Sequence, residues 1–559
     1  MSVIIRLAAV AVLILCSAGL NAFAQGSVKQ GPAKKVPYGE KRPGEPQLKA
    51  APMPFETPQQ EEKLLRKWIK ELGSDEFGGR KPMTPYEDIT LRYLKGEMEK
   101  IGLKPGFNGS WFQKVKMIST VTKPRKGNLQ FKNGRKRANL DFPGDVVCWT
   151  ARNTSKIEIK GAEYVFCGFG IDAPEYGWND FDGIDVKGKI IISMVNDPGF
   201  YNPDLFRGRN MTWYGRWVYK FEQAERLGAA GCLVLHNTAA ASYGWNVCSN
   251  HAGENLALYD EATENMATLP IKGWLAESGC RKLFEAAGVD FEAALEAAKQ
   301  PGFKAFTLKG KSDIQLDVTS RIEESSNIAG LLEGSDLKDE VVVFSGHWDH
   351  FGFGDPDESG DEIYNGAADN GSGMAAVLLL AKKFKALATP PRRSMLFVCF
   401  TSEESGLFGS EYYCENPQFP MDKTAACINF DCIAPDALTH DVVVLGGGAT
   451  ELDNYLVAVA GAQGRYIDFN DDNSDGWFFR SDHFNFVKKG VPAVVIENGH
   501  HLAPGIEPNK YPRAVWYHKP SDEYREDWDF SGTLAHIHLM YGVGLAVANA
   551  DKRPAPLRR

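Results

Sequence analysis

The chain is 559 residues long, with 43% hydrophobic and 24% charged residues and a formal charge of −9. That length excludes a single small core and predicts two or more folding units, and the apolar share excludes a wholly disordered chain. A net acidic balance argues against a nucleic-acid binder, because phosphate binding needs a basic face.

The N-terminus reads as an address. Arg6 precedes an apolar run over residues 7–20, and Ala22-Phe23-Ala24 offers small residues at the two positions a signal peptidase reads. Residues 1–24 are expected to be a signal peptide, with Gln25 as the mature start and export to the periplasm or the exterior. The run is short for a membrane span, which needs about 20 apolar residues. No later stretch is long and apolar enough, so no membrane attachment is expected after cleavage. Of ten cysteines, Cys16 lies in the leader and nine remain. An odd number leaves at least one thiol free or bridged to another chain.

Residues 25–54 hold six prolines and six lysines or arginines with little apolar content, the composition of a flexible linker. Residues 61–72 then show helical spacing of apolar positions. Residues 86–102 repeat it, with Gly102 as the stop. Between them Asp75-Glu76-Phe77-Gly78-Gly79-Arg80 reads as a loop. From about 126 to 312 the pattern is mixed and strand-rich, with strands at 163–168, 190–194 and 231–235 and a helix at 220–227. From 313 onward strands (341–344, 394–400, 425–430, 442–445, 493–496) alternate with helices (374–387, 451–462, 530–548). Short apolar strands with helices between them predict an α/β fold: a mixed, mostly parallel sheet covered on both faces. Active groups in such sheets sit at strand C-terminal ends.

Metal-binding side chains fall at those ends. His347 and Asp349 follow the strand at 341–344, and Glu403 and Glu404 follow the one at 394–400. Asp431 follows 425–430, Asp369 lies just before the helix at 374, and His518 stands near the C-terminus. Each alone is weak. A histidine beside a strand is more often a packed, hydrogen-bonded residue than a ligand, and an aspartate after a strand is usually a helix cap. Together, several carboxylates at one sheet edge would repel and raise each other's pKa. A pair of divalent cations removes that cost, and mixed histidine and carboxylate ligation suits zinc.

The stretches that carry these residues have a further property. Ser345-Gly346-His347-Trp348-Asp349-His350, Asn365-Gly366-Ala367-Ala368-Asp369-Asn370, Thr401-Ser402-Glu403-Glu404-Ser405-Gly406, Asn429-Phe430-Asp431, Arg480-Ser481-Asp482-His483 and Tyr517-His518, in this order, resemble the co-catalytic zinc aminopeptidase and glutamate carboxypeptidase family. The resemblance covers about 55–125 and 313–550. It implies a zinc exopeptidase-like catalytic domain in two parts (55–125 and 313–559), with residues 126–312 inserted as a β-rich protease-associated domain. It also implies two Zn2+ ions. Asp369 would bridge them, His347 and Asp431 would complete one site, and Glu404 and His518 the other. Glu403 is the implied general base, Asp349 the group that fixes the His347 tautomer, and Tyr517 a donor to the tetrahedral intermediate. Arg480 and His483 are implied substrate contacts, and the bond after Asp369 is expected to be cis.

The implied activity is removal of N-terminal residues from peptides. After His518 only 41 residues remain, which favours an aminopeptidase over a carboxypeptidase acting on acidic dipeptides. A receptor-like, non-catalytic relative is disfavoured because every ligand position is filled, and a glutaminyl cyclase because of the insertion. The loop Gly79-Arg80-Lys81-Pro82-Met83-Thr84-Pro85 departs from the family form. Distant in sequence from the ligands, it is expected to affect loop detail rather than catalysis. The cluster Trp213-Tyr214-Gly215-Arg216-Trp217 reads either as a substrate wall or, more commonly for aromatics, as core or interface. Oligomeric state is not legible.

Overall fold

The computed structural model describes residues 58–125, 128–250, 252–447, 450–469 and 473–556. The expected signal peptide and the linker up to residue 54 lie outside the described residues. No helix among the described residues is long and apolar enough to cross a membrane.

The two expected N-terminal helices form at Pro58–Leu72 and Pro85–Ile101. The second is framed as its sequence dictates. The Thr84 hydroxyl accepts from the Tyr86 N–H at the N-cap, Pro85 opens the helix, and Gly102, at φ 87°, closes it in the left-handed conformation. Leu65, Ile69 and Leu72 of the first helix and Leu94 and Met98 of the second are fully buried. They form one core with the helix Gly373–Lys385.

Strands Arg393–Phe400, Leu337–His347, Thr424–Asn429 and Ala493–Val494 pair in parallel, in that spatial order. Their side chains alternate between two cores. Val342 and Phe344 meet the helices Gly373–Lys385 and Ser531–Asn549, whereas Val341 and Val343 meet Tyr413 and Phe486 on the opposite face. Parallel strands with helices on both faces are the expected arrangement. The sheet becomes antiparallel on one side, where the 22-residue strand Lys311–Leu332 pairs with Arg393–Phe400 and then with Phe112–Pro124. Its first nine residues alternate exposed and buried positions, and its last eight are buried almost throughout as it enters the core.

That long pair of strands leads away from the core and back. Between them a second sheet forms, ordered Phe306–Thr307, Tyr164–Phe166, Ile190–Met194, Gly231–Leu235, Ile271–Leu275 and Val146–Trp149. Its middle four strands are parallel. The helix expected at 220–227 begins earlier, at Trp217, and runs to Arg226. The strand expected at 493–496 divides. Ala493–Val494 stays in the main sheet, while Ile496–Asn498 joins Asp441–Val444 and Tyr466–Asp468 in a separate three-stranded sheet. At the division, Val495 packs into a different apolar cluster from Val494 and Ile496. The nine described cysteines are all free thiols, eight of them buried.

One buried ion cluster ties the N-terminal helix to the rest. Glu61 and Lys383 are 1% and 4% exposed; they pair directly, and His538 of the last helix bonds the other Glu61 oxygen. Burial pushes the Glu61 carboxyl up, but the hydrogen bonds from His538 and Lys383 prevail and hold it below the ordinary value. A depressed carboxylate stabilises the fold above its unfolded pKa, and that stability is lost as pH falls through the folded value. Lys383→Met leaves the buried Glu61 carboxylate with His538 alone and is expected to cost about 3 kcal/mol at pH 7. The difference should shrink on acidification below about pH 4.3. Urea melts of both proteins at pH 7 and pH 4 measure this; equal midpoints at pH 7 refute it.

Candidate metal centre

Parallel pairing aligns the strand ends, with His347 opposite Phe400 and Ser345 opposite Asn429. The residues that immediately follow Phe400 and Asn429 therefore emerge beside His347 on one rim. These are Glu403 and Glu404 after one strand and Asp431 after the other. Asp369 reaches the same rim from the turn before the helix Gly373–Lys385, and His518 from just beyond the short helix Arg513–Trp516.

The side chains converge. His347 Nε2 lies 3.3 Å from Asp369 Oδ1 and 3.5 Å from Asp431 Oδ1. His518 Nε2 lies 3.2 Å from Asp369 Oδ2 and 3.3 Å from Glu404 Oε2. The two oxygens of Asp369 thus face two different imidazoles, each with a second carboxylate beside it. Glu403 Oε2 stands 3.9 Å from His347 Nε2. Ligand atoms of His347, Asp369 and Glu404 lie within 4.8 Å of one another, as do those of His347, Glu403 and Asp431.

The donor set fits a cation. His518 Nε2 is buried without a hydrogen-bond partner although carboxylate oxygens flank it. Burial pushes the Glu403 carboxyl well above the usual range against the pull of His347, and Asp431 and Asp369 add to the push. Burial likewise raises Glu404, helped by Asp369 and Glu403. Asp369 moves the other way: burial raises it, but the adjacent His347 and His518 imidazoles bring it well below the ordinary value. Four carboxylates packed this closely repel unless positive charge lies among them.

A surrounding layer holds these groups in place, and part of it was not foreseen. Asp349 was expected to fix the His347 tautomer. Instead, the Asp349 backbone carbonyl lies 3.1 Å from His347 Nδ1, whereas its carboxylate is 3.8 Å away. That carboxylate accepts from the Glu403 and Glu404 N–H groups at 3.0 and 3.3 Å. The reason is geometric: the chain turns sharply after the strand, bringing the carbonyl over the ring and the side chain over the neighbouring loop. His350 Nδ1 lies 2.7 Å from Glu404 Oε1 and so orients that carboxylate. Asp522 accepts from the Ala368 and Asp369 N–H groups at 2.8 and 2.9 Å. The Asp369–Asn370 peptide is cis, as expected. Asn370 accepts from the Gly373 and Cys432 N–H groups and donates to the Phe430 carbonyl, so it ties the Asp369 turn to the Asp431 loop.

The loop expected to affect only loop detail packs directly against the backbone that carries the site. Arg80 is fully buried, and its guanidinium donates to the carbonyls of Trp348, Leu72, Asn365, Gly366 and Asp369. Two glycines make room for it. At Gly79 (φ 63°) a Cβ would lie 2.4 Å from the Tyr364 carbonyl oxygen. At Gly366 (φ 60°) it would lie 2.2 Å from the Asp369 oxygen and 2.7 Å from Arg80 Nη2.

A cavity of about 280 Å³ opens over the cluster, lined by Asp369, Glu403, Glu404, Asp431, Tyr517 and His518. Its outer wall comes from Leu445, Trp477, Phe479 and Val495, and from Trp213, Arg216 and Trp217 of the stretch between the strands Phe112–Pro124 and Lys311–Leu332. The Trp213 cluster is thus both wall and interface, since Trp213 also packs on Phe479 and Phe484 at 5.8 and 4.8 Å. Tyr517 stacks on His518 at 3.8 Å. Arg480 lines the cavity and donates to the Ser242 hydroxyl at 3.2 Å. His483, expected to contact substrate, does not line it. The ring is fully buried, 5.1 Å from that of Phe478, because it opens a helix whose first turn packs inward.

Part of the chain is similar to known proteins. Residues 327–542 match the family model described as Peptidase family M28. A stretch of 362 residues, 63% of the chain, is 24% identical to the aminopeptidase YwaD of Bacillus subtilis (strain 168) and covers 62% of that protein. A shorter stretch of 139 residues is 30% identical to the aminopeptidase NAALADL1 of Mus musculus, covering 23% of this chain and 17% of the relative. The chain therefore spans less than two thirds of either relative. A solved aminopeptidase from Aneurinibacillus sp. strain AM-1 aligns over 89% of this chain and 95% of its own, at 18% identity and a TM-score of 0.47.

Proposed function

From a chain that carries a Peptidase family M28 domain over residues 327–542, we propose a two-zinc aminopeptidase that removes N-terminal residues from peptides, exported to the periplasm or exterior. One observation carries the reading: the two oxygens of Asp369 face His347 and His518 separately, with Asp431 beside the first and Glu404 beside the second. Asp369 would bridge two ions, His347 and Asp431 hold one, and Glu404 and His518 the other. When bound, such a pair supplies Lewis-acid polarisation and lowers the pKa of water toward neutrality.

The remaining chemistry belongs to the chain. Glu403 reaches the cavity but is not needed in either ligand set, so its carboxylate is free to take the proton of the attacking water. It then passes that proton to the leaving amine. Adjacent Glu403 and Glu404 thus hold different jobs, and Asp349 keeps them apart by fixing both backbone N–H groups. The Tyr517 hydroxyl donates to the oxygen of the tetrahedral intermediate. Arg480 contacts substrate beyond the reacting carbon. The aromatic and aliphatic wall excludes water from the bond being broken.

A chelator is expected to abolish activity on free-amine dipeptides and aminoacyl anilides, with zinc or cobalt restoring it and metal analysis giving two ions per chain. Cleavage that survives chelation would remove the mechanism. Cleavage of N-blocked peptides carrying acidic C-terminal residues, in place of free-amine ones, would reassign the enzyme as a carboxypeptidase.

A further inference from the structure

Arg513 opens the short helix Arg513–Trp516, which delivers Tyr517 and His518 to the cavity. The Tyr517 N–H donates to the Arg513 carbonyl at 2.9 Å, so the two side chains leave one face of the same turn. The Arg513 guanidinium carbon lies 5.6 Å from the Tyr517 ring centroid and 5.4 Å from that of Trp477.

Arg513 uses one donor within the protein. Its Nη1 donates to Glu497 Oε1 at 2.9 Å, and its other N–H groups bond to no described residue. Those groups are open to the cavity. The side chain lines it and is 32% exposed, and no Arg513 nitrogen is both buried and unpartnered.

A second guanidinium shares the indole. The Arg480 guanidinium carbon lies 4.9 Å from the Trp477 ring centroid. Arg480 donates to the Ser242 hydroxyl and the Asp475 carbonyl, and no described carboxylate pairs with it. Around Trp477, two positive charges therefore face one carboxylate, Glu497. A planar fork with unused donors suits a second carboxylate, which it can bind through two parallel bonds.

We infer that Arg513 receives the side-chain carboxylate of the substrate's first residue, so that the enzyme prefers peptides beginning with glutamate or aspartate. This rests on the aminopeptidase reading, in which two ions offset the four carboxylates of the centre and Tyr517 meets the scissile carbonyl. The excess charge of the cavity then lies on its wall, and it is positive. In an aminopeptidase a single side chain lies on the amine side of that carbonyl. A carboxylate one or two methylenes along it comes within range of a guanidinium beside Tyr517. Glu497 holds the fork through Nη1 and leaves the rest of it to the substrate.

Steady-state kinetics on glutamyl, leucyl and lysyl anilides, which carry no second residue, compare wild type, Arg513→Met and Glu497→Gln. The wild-type kcat/KM should be about 10-fold higher for glutamyl than for leucyl, with lysyl lowest. In Arg513→Met the glutamyl-to-leucyl ratio should fall about 10-fold, and lysyl should gain because Glu497 has lost its partner. Glu497→Gln removes the competing carboxylate and should raise the ratio. Ratios within one protein cancel any loss of folded or metal-loaded enzyme.

Calorimetric binding of L-glutamate and L-leucine to metal-loaded protein needs no turnover. Tighter binding of glutamate that Arg513→Met abolishes supports the inference even where no anilide is cleaved and the aminopeptidase reading fails. Equal binding of the two without turnover overturns both. Three results overturn the inference alone: leucyl anilide cleaved as well as glutamyl, an acidic preference only at the second residue of dipeptides, or an unchanged ratio in Arg513→Met.

Discussion

Glu403→Gln is expected to lose about 10²–10⁴-fold in kcat while binding metal as the wild type does. The substitution keeps the side chain's shape and removes only its capacity to accept a proton. The loop will hold its form, because what positions it is backbone: Gly406 and Leu407 N–H groups donate to the Glu403 carbonyl, and the Glu403 N–H donates to Asp349. None of these bonds uses the carboxylate. The raised pKa of Glu403 has a consequence in metal-free protein, where burial and the neighbouring aspartates make its charge costly. Neutralising it should leave the metal-free variant at least as stable as wild type, whereas the metal-loaded variant loses turnover. Kinetics, metal analysis and thermal melts of both forms give the three numbers. A variant that hydrolyses peptides at the wild-type rate, with metal bound, dismisses Glu403 as the base. A variant that loses its metal makes Glu403 a ligand instead.

The convergence of these side chains was readable because each sits next to a strong local signal. His347, Glu404 and Asp431 stand at most four residues beyond or at the end of an apolar strand, and a parallel ladder aligns strand ends. Asp369 precedes a helix of nearly unbroken apolar residues. The surrounding groups were less readable for a physical reason. Arg80 meets Asn365 and Gly366 across more than 280 residues, and Asp522 meets Asp369 across 153. No periodicity or propensity reports such a contact. One cue was available for Arg80: two glycines directly before it, in a loop between two helices, mark a backbone that must turn left-handed, and Gly78, Gly79 and Arg80 all do. His483 shows the opposite failure. Motif position does not tell which way a ring faces, and the first turn of its helix directs it into the core. Asp349 is the intermediate case, beside the converging side chains but with its carboxylate bonded to the loop rather than to the imidazole.

Arg80→Met is expected to be the most destabilising single change in the site, at about 4–5 kcal/mol. The guanidinium satisfies five carbonyls that are otherwise enclosed by protein, and methionine fills much of the space while satisfying none. The charge is also balanced rather than stranded. Burial lowers the Arg80 pKa to about 10, with Asp522 and Asp369 pulling it back up, so the group stays protonated at pH 7. Arg80 itself sits at φ 48°, a conformation that costs about 1 kcal/mol for a residue other than glycine. The surrounding hydrogen bonds must exceed that cost. Arg80→Lys should recover little, because an ammonium has three donors on a flexible stem and cannot span carbonyls that a planar fork reaches. The effect should extend to the metals. Trp348 follows His347, and Asn365, Gly366 and Asp369 belong to the turn that delivers the central carboxylate, so losing Arg80 loosens both sides of the Asp369–His347 contact. Metal affinity is therefore expected to fall with stability, and added zinc should raise the variant's melting temperature by less than it raises that of the wild type. Denaturant titrations with and without zinc separate the two losses. Should Arg80→Met unfold at the wild-type midpoint and gain as much from zinc, the arginine is a bystander and the turn before the helix Gly373–Lys385 holds its own shape.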